Sequence, residues 1–115
     1  MSGESSQVTV VMAVYNGALC VGNAIESLLA QTFEDWNLIA VDDHSTDNTL
    51  EVLNGYADRD RRITIMPRTE NRRPAHCRNV AISASSSPLI AIIDSDDVWL
   101  PDKLRIQVEF MRAHP

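Results

Sequence analysis

Two acidic clusters in this sequence have the residue types and spacing to do chemistry: Asp42-Asp43-His44-Ser45 and Asp94-Ser95-Asp96-Asp97. Each follows an apolar run, residues 38–41 and 89–93. An Asp-x-Asp at the end of a strand offers hard oxygen ligands, and Mg2+ typically takes one or two carboxylates, with water and substrate phosphates as its other ligands. Asp94 and Asp96 are therefore candidate metal-site residues. The plainer use of the same turn is a solvated acidic lead into a helix, where negative charge is favourable. Asp and Ser ahead of a helix are also common caps, but two adjacent carboxylates exceed what a cap requires. Asp43 is thus a candidate acceptor for a nucleobase N–H. Tyr15, just after the apolar run 8–14, could stack on a base while its hydroxyl stays near water, or be a rim aromatic with no ligand. Arg78 falls near the start of a helical pattern. Helix starts favour anions, and a guanidinium there adds a bidentate contact to phosphate or carboxylate. Its alternative use is an internal ion pair to Asp43 or Asp96.

Other residue classes are less informative. Cys20 and Cys77 have no metal-ligand spacing and are too few for a disulfide framework, so both read as buried, reduced thiols. His44, His76 and His114 show no ligand spacing either. Ten basic against sixteen acidic residues give a net charge of -6, which argues against a nucleic-acid binder. Seven of the nine arginines lie between Arg59 and Arg78, and Lys103 is the single lysine. Any phosphate held here must then be neutralised by arginine, backbone amides or a metal. The arginines from Arg59 to Arg73 otherwise read as a solvated face.

The acids need a scaffold to bring them together. Runs 8–14, 38–41 and 89–93 are apolar almost throughout, as strands buried on both faces of a parallel sheet are. Run 62–66 alternates and belongs at an edge. Helical spacing joins Val21, Ile25, Leu28, Leu29 and Thr32, and again Leu50, Leu53, Tyr56 and Ala57, with Ser45 or Asp47 as a cap. A third helix is expected over 74–85, opened by Pro74 and broken by Ser85-Ser86-Ser87-Pro88. A fourth begins at Pro101 and turns Leu104, Val108 and Met111 inward. Trp36 and Trp99 read as packing anchors. Strict strand–helix alternation predicts an α/β, Rossmann-like, doubly wound, mostly parallel sheet of order 3-2-1-4. Ligands of such sheets bind at the carboxyl ends of the strands, beside the switch between the first and fourth. All five carboxylates would then converge on one rim, a costly arrangement without a cation.

Taken in order, these motifs resemble family 2 glycosyltransferases. The segment 8–16, then Gln31-Thr32-Phe33, then Val41-Asp42-Asp43-x-Ser45-x-Asp47-x-Thr49 is similar to the opening of that family. Asn71 with Arg78-Asn79 is similar to its Asn…Ala-Arg-Asn helix start. Asp94-Ser95-Asp96-Asp97, followed by Leu100-Pro101-Asp102-Lys103-Leu104, is similar to its DxD metal motif and the helix after it. The resemblance covers Val8 to the C-terminus, with the motifs in family order and spacing. It implies a GT-A fold, a nucleotide-diphosphate sugar donor (a UDP-sugar first of all), and Mg2+ or Mn2+. It also implies transfer with inversion to a saccharide or lipid-linked acceptor, as in polysaccharide biosynthesis. Position by position, it implies that Ala13 and Tyr15 neighbour the base, Asp43 holds it and Arg78 helps hold the nucleotide. Asp94 would lie near the ribose and Asp96 would ligate the metal. Two departures stand out: Arg73 occupies a place where glycine is usual, and Cys77 one where alanine is usual.

Residues 1–7 are expected to be a disordered leader and 8–115 a donor-binding half-domain. The acceptor half and the general base would lie beyond Pro115, leaving this chain able to bind donor but not to transfer sugar. With no signal peptide and no apolar run of the roughly 18–20 residues a membrane helix needs, the expected place is the cytoplasm, a longer protein lying at the cytoplasmic face of a membrane. A fourth-strand edge left uncovered is a place for self-association. Three rivals share parts of the pattern. A haloacid-dehalogenase-like phosphatase uses Asp-x-Asp after a strand, but near the start of its domain. A phospho-receiver places its acid pair after the first strand, where Tyr15-Asn16 stand here. The third is a non-catalytic nucleotide-binding module.

Overall fold

A computed structural model of the chain describes residues 6–114. The elements alternate as β1 (Val8–Val14), α1 (Val21–Leu29), β2 (Trp36–Asp42), α2 (Thr49–Arg59), β3 (Ile63–Pro67), α3 (Pro74–Ser83), β4 (Leu89–Ile92) and α4 (Lys103–Ala113). The strands form one parallel sheet of order β3-β2-β1-β4. The expected fold class and strand order are thus found. Residues 1–5 of the expected leader lie outside the described residues. Gln7 is tied to the sheet: its carbonyl accepts the Leu89 amide at 3.3 Å, and its side-chain oxygen takes a donor from Arg112 at 3.0 Å.

The two faces of the sheet explain the unbroken apolar runs of β1 and β2. Val8, Val10, Met12 and Val14 point to one face, where they meet Val21, Ala24, Ile25 and Leu28 of α1, Leu53 of α2, and Leu104 and Val108 of α4. Val11, Ile39 and Val41 point to the other, against Cys77 and Ala81 of α3. Trp36 and Trp99 are buried in the first cluster, as expected of anchors.

β4 departs from the expectation of a strand buried on both faces. It pairs with β1 alone, and Ile90 and Ile92 are exposed. Their registers, Thr9 to Ile90 and Val11 to Ile92, put them on the face that α3 covers. α3 packs over β1 and β2, which leaves Ile90 at 40% and Ile92 at 52% exposed. Along this edge, Leu89, Ile92, Phe110 and Met111 help line a groove of about 590 Å³. Met111 is accordingly half-exposed, not turned into the core as its spacing suggested. Three helix ends also shift: α1 stops before Thr32, α3 stops at Ser83, and α4 begins at Lys103 because Pro101 and Asp102 form a turn. Cys77 is buried as expected, but Cys20 only partly so.

Candidate functional site

The carboxyl ends of β1, β2 and β4 open onto one rim. The loops after β1 and β2 are bound to each other. Asn16 adopts φ 50°, and its side-chain oxygen accepts the amides of Thr46 at 2.8 Å and Asp47 at 3.3 Å. The amides of Asn16 and Gly17 donate in return to the hydroxyls of Ser45 and Thr49, both at 2.9 Å. Asp47, one residue before the N-cap Asn48, accepts the Thr49 amide at the start of α2 at 2.9 Å, and the Thr49 hydroxyl holds its carboxyl below the usual range. Ser45 does not cap α2; its hydroxyl donates to Asp42 at 2.5 Å.

The five carboxylates do not all converge. Asp94, Asp96 and Asp97 offer oxygens within 4.8 Å of one another, all three residues exposed. Asp42 and Asp43 are only 3% and 2% exposed and are turned into local hydrogen bonds. Asp42 serves Ser45. Asp43 grips the loop ahead of α3: Oδ1 accepts the Arg72 amide at 2.7 Å and Oδ2 the Arg73 amide at 2.8 Å. Asn71 closes the same loop by donating to the Asp43 carbonyl at 3.2 Å. A carboxylate has about four lone-pair sites, so acceptor capacity is left after these two amides. The Cys77 thiol faces the same carboxylate. Burial first, and then Asp43, push its pKa up to about 11, so it stays protonated at neutral pH.

Arg78 reaches the acid cluster. Its guanidinium pairs with Asp94 at 3.3 Å, and not with Asp43 or Asp96. Tyr15 is half-exposed at the end of β1, and Ala13 is partly buried one residue before Val14. Gly17 leaves little room for a side chain against the end of β1. A Cβ there would stand 3.0 Å from Val14 Cγ1 and 3.7 Å from Ser95 Oγ. His44, at φ 61°, and His76 are exposed.

What holds the acid turn in place was not foreseen from residue chemistry. Gln31, buried just after α1, donates to the Leu100 carbonyl at 2.8 Å and the Ser27 carbonyl at 3.2 Å. Its oxygen accepts the Leu104 amide at 3.0 Å, so it caps α4 from a distant part of the chain. Thr32 adds its amide to the Pro101 carbonyl at 2.9 Å and its hydroxyl to Asp102 at 2.8 Å. Ser27 Oγ accepts the Trp99 amide at 3.0 Å. The one signal in the sequence was the Gln31-Thr32-Phe33 motif, whose first two residues clamp Leu100, Pro101, Asp102 and Leu104, just past the turn 94–97.

A parallel sheet of this order, with a carboxylate cluster and an arginine at its switch point, is the architecture shared with the glycosyltransferases that the chain superposes on. The chain belongs to glycosyl transferase family 2, whose model matches residues 9–115. It is 38% identical over 111 residues to the putative teichuronic acid biosynthesis glycosyltransferase TuaG of Bacillus subtilis, covering 96% of this chain and 44% of that protein. It is 35% identical over 104 residues to the UDP-Glc:alpha-D-GlcNAc-diphosphoundecaprenol beta-1,3-glucosyltransferase WfgD of Escherichia coli, covering 90% and 40%. Among solved structures, S. aureus TarS 1-349 in complex with UDP superposes with a TM-score of 0.87 at 26% identity, over 94% of this chain and 32% of that one. The mannosyltransferase PcManGT from Pyrobaculum calidifontis, in complex with GDP-Man and Mn2+, gives 0.86 at 25% identity, over 95% and 33%. The chain thus spans less than half the length of these curated relatives. Family membership sets aside the phosphatase and receiver readings, and it supports nucleotide-sugar binding.

Proposed function

We propose that this chain binds a nucleotide-diphosphate sugar at the rim between β1 and β4, together with Mg2+ or Mn2+. The observation that carries the reading is the gathering of Asp94, Asp96 and Asp97 within 4.8 Å. Three exposed carboxylates with hard oxygens fit a divalent cation, with Asp96 as its main ligand. The bound cation would neutralise diphosphate charge in the ground state and as the leaving group departs. Arg78, already drawn to Asp94, would shift to or share the nucleotide, with Asp94 near the ribose. Tyr15 and the backbone at Ala13 would flank the base, and Asp43 would offer its remaining acceptor capacity to a base N–H. The PcManGT structure holds GDP-Man and Mn2+, and the TarS structure holds UDP. For this chain, UDP-sugars are the first candidates.

In the full-length protein the sugar passes to an acceptor hydroxyl with inversion. The hydroxyl oxygen bonds to the anomeric carbon, the bond from that carbon to the diphosphate oxygen breaks, and a general base takes the hydroxyl proton. Residues outside 1–115 would supply that base and the acceptor surface, whether for a saccharide or a lipid-linked acceptor, and the work would be done in the cytoplasm or at the cytoplasmic face of a membrane. The 115 residues alone would bind donor, transfer no sugar, and self-associate as two copies along the free edge of β4. Calorimetry with UDP, GDP, CDP and dTDP, with and without Mn2+, tests the central claim. Metal-dependent binding of at least one is expected, and a folded chain that binds none would overturn it.

A further inference from the structure

Among the described residues, those other than glycine that hold a positive φ all stand in the loops of the rim: Asn16 at 50°, His44 at 61° and Arg73 at 78°. Left-handed backbone is uncommon outside glycine, and Asn is enriched there because its short amide can bond locally. Asn16 puts that amide to use. Its side-chain oxygen accepts the Thr46 amide at 2.8 Å, the Asp47 amide at 3.3 Å and the Thr46 hydroxyl at 3.3 Å. Bonds also run the other way. The successive amides of Asn16, Gly17 and Ala18 donate to Ser45 Oγ at 2.9 Å, Thr49 Oγ1 at 2.9 Å and Asp47 Oδ2 at 3.4 Å. Tyr15 lies inside this lock. On one side of it the Val14 carbonyl accepts the Asp43 amide at 2.8 Å, and on the other Ser45 holds the Asn16 amide. The backbone is pinned on both flanks, yet the Tyr15 side chain is 50% exposed and makes no hydrogen bond or ring contact with the described residues. A side chain with two torsions on a fixed Cα has few orientations open to it.

We propose that Asn16 is a positioning residue for donor binding: its left-handed turn and its bonds to the loop after β2 hold Tyr15 where a base can stack on the ring. The step rests on the donor-binding reading above, in which Tyr15 flanks the base. Asn16 touches no ligand and acts only through the placement of Tyr15. The position asks for two properties at once, a tolerance of positive φ and an acceptor that reaches the amides of Thr46 and Asp47. Glycine has the first and lacks the second. Alanine has neither. Aspartate has both, since its carboxylate accepts as the amide oxygen does and it too is enriched in left-handed backbone. A ring fixed in advance spares the bound state the cost of ordering it, and a base stacked on an aromatic ring gains roughly fivefold to a hundredfold in affinity.

The test is calorimetry with UDP and GDP in Mn2+, on the chain itself, on Tyr15→Ala, Asn16→Gly and Asn16→Asp, and on Tyr15→Ala combined with Asn16→Gly, with thermal melts of each. Tyr15→Ala should lose about tenfold in affinity for the nucleotide that the parent binds. Asn16→Gly should lose most of the same factor, and Asn16→Asp should bind as the parent does. The combined variant decides between positioning and a general loosening of the fold. Action through Tyr15 makes it bind no more weakly than Tyr15→Ala alone, whereas loosening would add a second loss. Ser45→Ala, which removes the acceptor of the Asn16 amide and leaves Asn16 in place, supplies the same cycle if glycine at position 16 prevents folding. Full affinity in Tyr15→Ala or in the folded variant used for the cycle, or losses that add in the combined variant, would overturn the role of Asn16 and leave donor binding standing. No binding of either nucleotide by the intact folded chain would overturn the donor-binding reading itself.

Discussion

Replacing Gln31 with leucine keeps its volume and removes three hydrogen bonds at once. The Leu104 amide, in the first turn of α4, loses its acceptor in a buried setting, and the carbonyls of Ser27 and Leu100 lose a donor. A buried amide left without a partner costs about 1–3 kcal/mol, and loss of a helix cap about 0.5–2 kcal/mol for what is partly the same interaction. The Leu100 carbonyl adds less, because it also accepts the Lys103 amide at 3.1 Å, while the Ser27 carbonyl loses its side-chain donor in a buried setting. The expected destabilisation is about 2–3 kcal/mol, read as a lower urea midpoint at unchanged slope. Metal-dependent nucleotide affinity should fall as well, since the clamped residues 99–104 follow the acid turn 94–97 almost directly in the chain. Gln31→Glu separates the parts. It keeps an acceptor for Leu104 but sets a second acceptor against two carbonyls. It should be destabilised near pH 7 and recover as pH falls towards the carboxyl range, about 4, where the protonated acid donates again. A leucine variant within about 0.5 kcal/mol of the parent, the scatter of ordinary surface substitutions, would refute the clamp.

Asp96→Asn should weaken nucleotide binding in Mn2+ far more than in its absence. Asp43→Asn should lower UDP affinity about tenfold or more; because its amide group would face a backbone N–H, it should also destabilise the fold, and calorimetry paired with urea unfolding reads both effects. The Cys77 thiol, raised from 9.0 to about 11, titrates later in the folded than in the unfolded chain. The unfolded state therefore binds fewer protons above pH 9, and stability should drain away between about pH 9 and 11. Cys77→Ala should flatten that part of the urea-midpoint profile, and an unchanged slope would show that the thiol is not its source. Ile92→Glu, on the open edge of β4, should reduce self-association in sedimentation velocity without lowering Tm.

Strand order and helix placement were legible because they follow from local pattern: apolar runs, Pro74, and strict alternation. The burial of β4 was not, because Ile90 and Ile92 have the same character as the core residues beside them. Only the position of α3, over β1 and β2, decides that they stay exposed. The acid rim was half legible. Sequence brings Asp42, Asp43, Asp94, Asp96 and Asp97 to strand ends, but it cannot say which carboxylates face solvent and which are consumed by backbone amides. Those amides belong to a loop some thirty residues further on. The partner of Arg78 was missed for the same reason: Asp43 follows β2 and Asp94 and Asp96 follow β4, on either side of β1 at the same rim, and a side chain's choice among them is a matter of ångströms. Arg73 left a clearer mark, standing where the resemblance leads one to expect glycine, and its backbone has the torsions that glycine would adopt.

The clamp made by Gln31 and Thr32 also bears on when the rim comes into being. Its partners, Leu100 to Leu104, lie about seventy positions later in the chain. β4 must likewise slot beside β1 across a similar separation. Bringing such distant segments together carries a loop-closure entropy that earlier, more local contacts do not. Since synthesis delivers the N-terminal portion first, β1, β2 and β3 can pair while residues 89–104 are still being made. The acid turn then acquires its fixed geometry in the last step of assembly. A nascent chain shorter than about 104 residues would have the sheet's centre and the Asp43 grip in place, yet no ordered cluster with which to capture a cation.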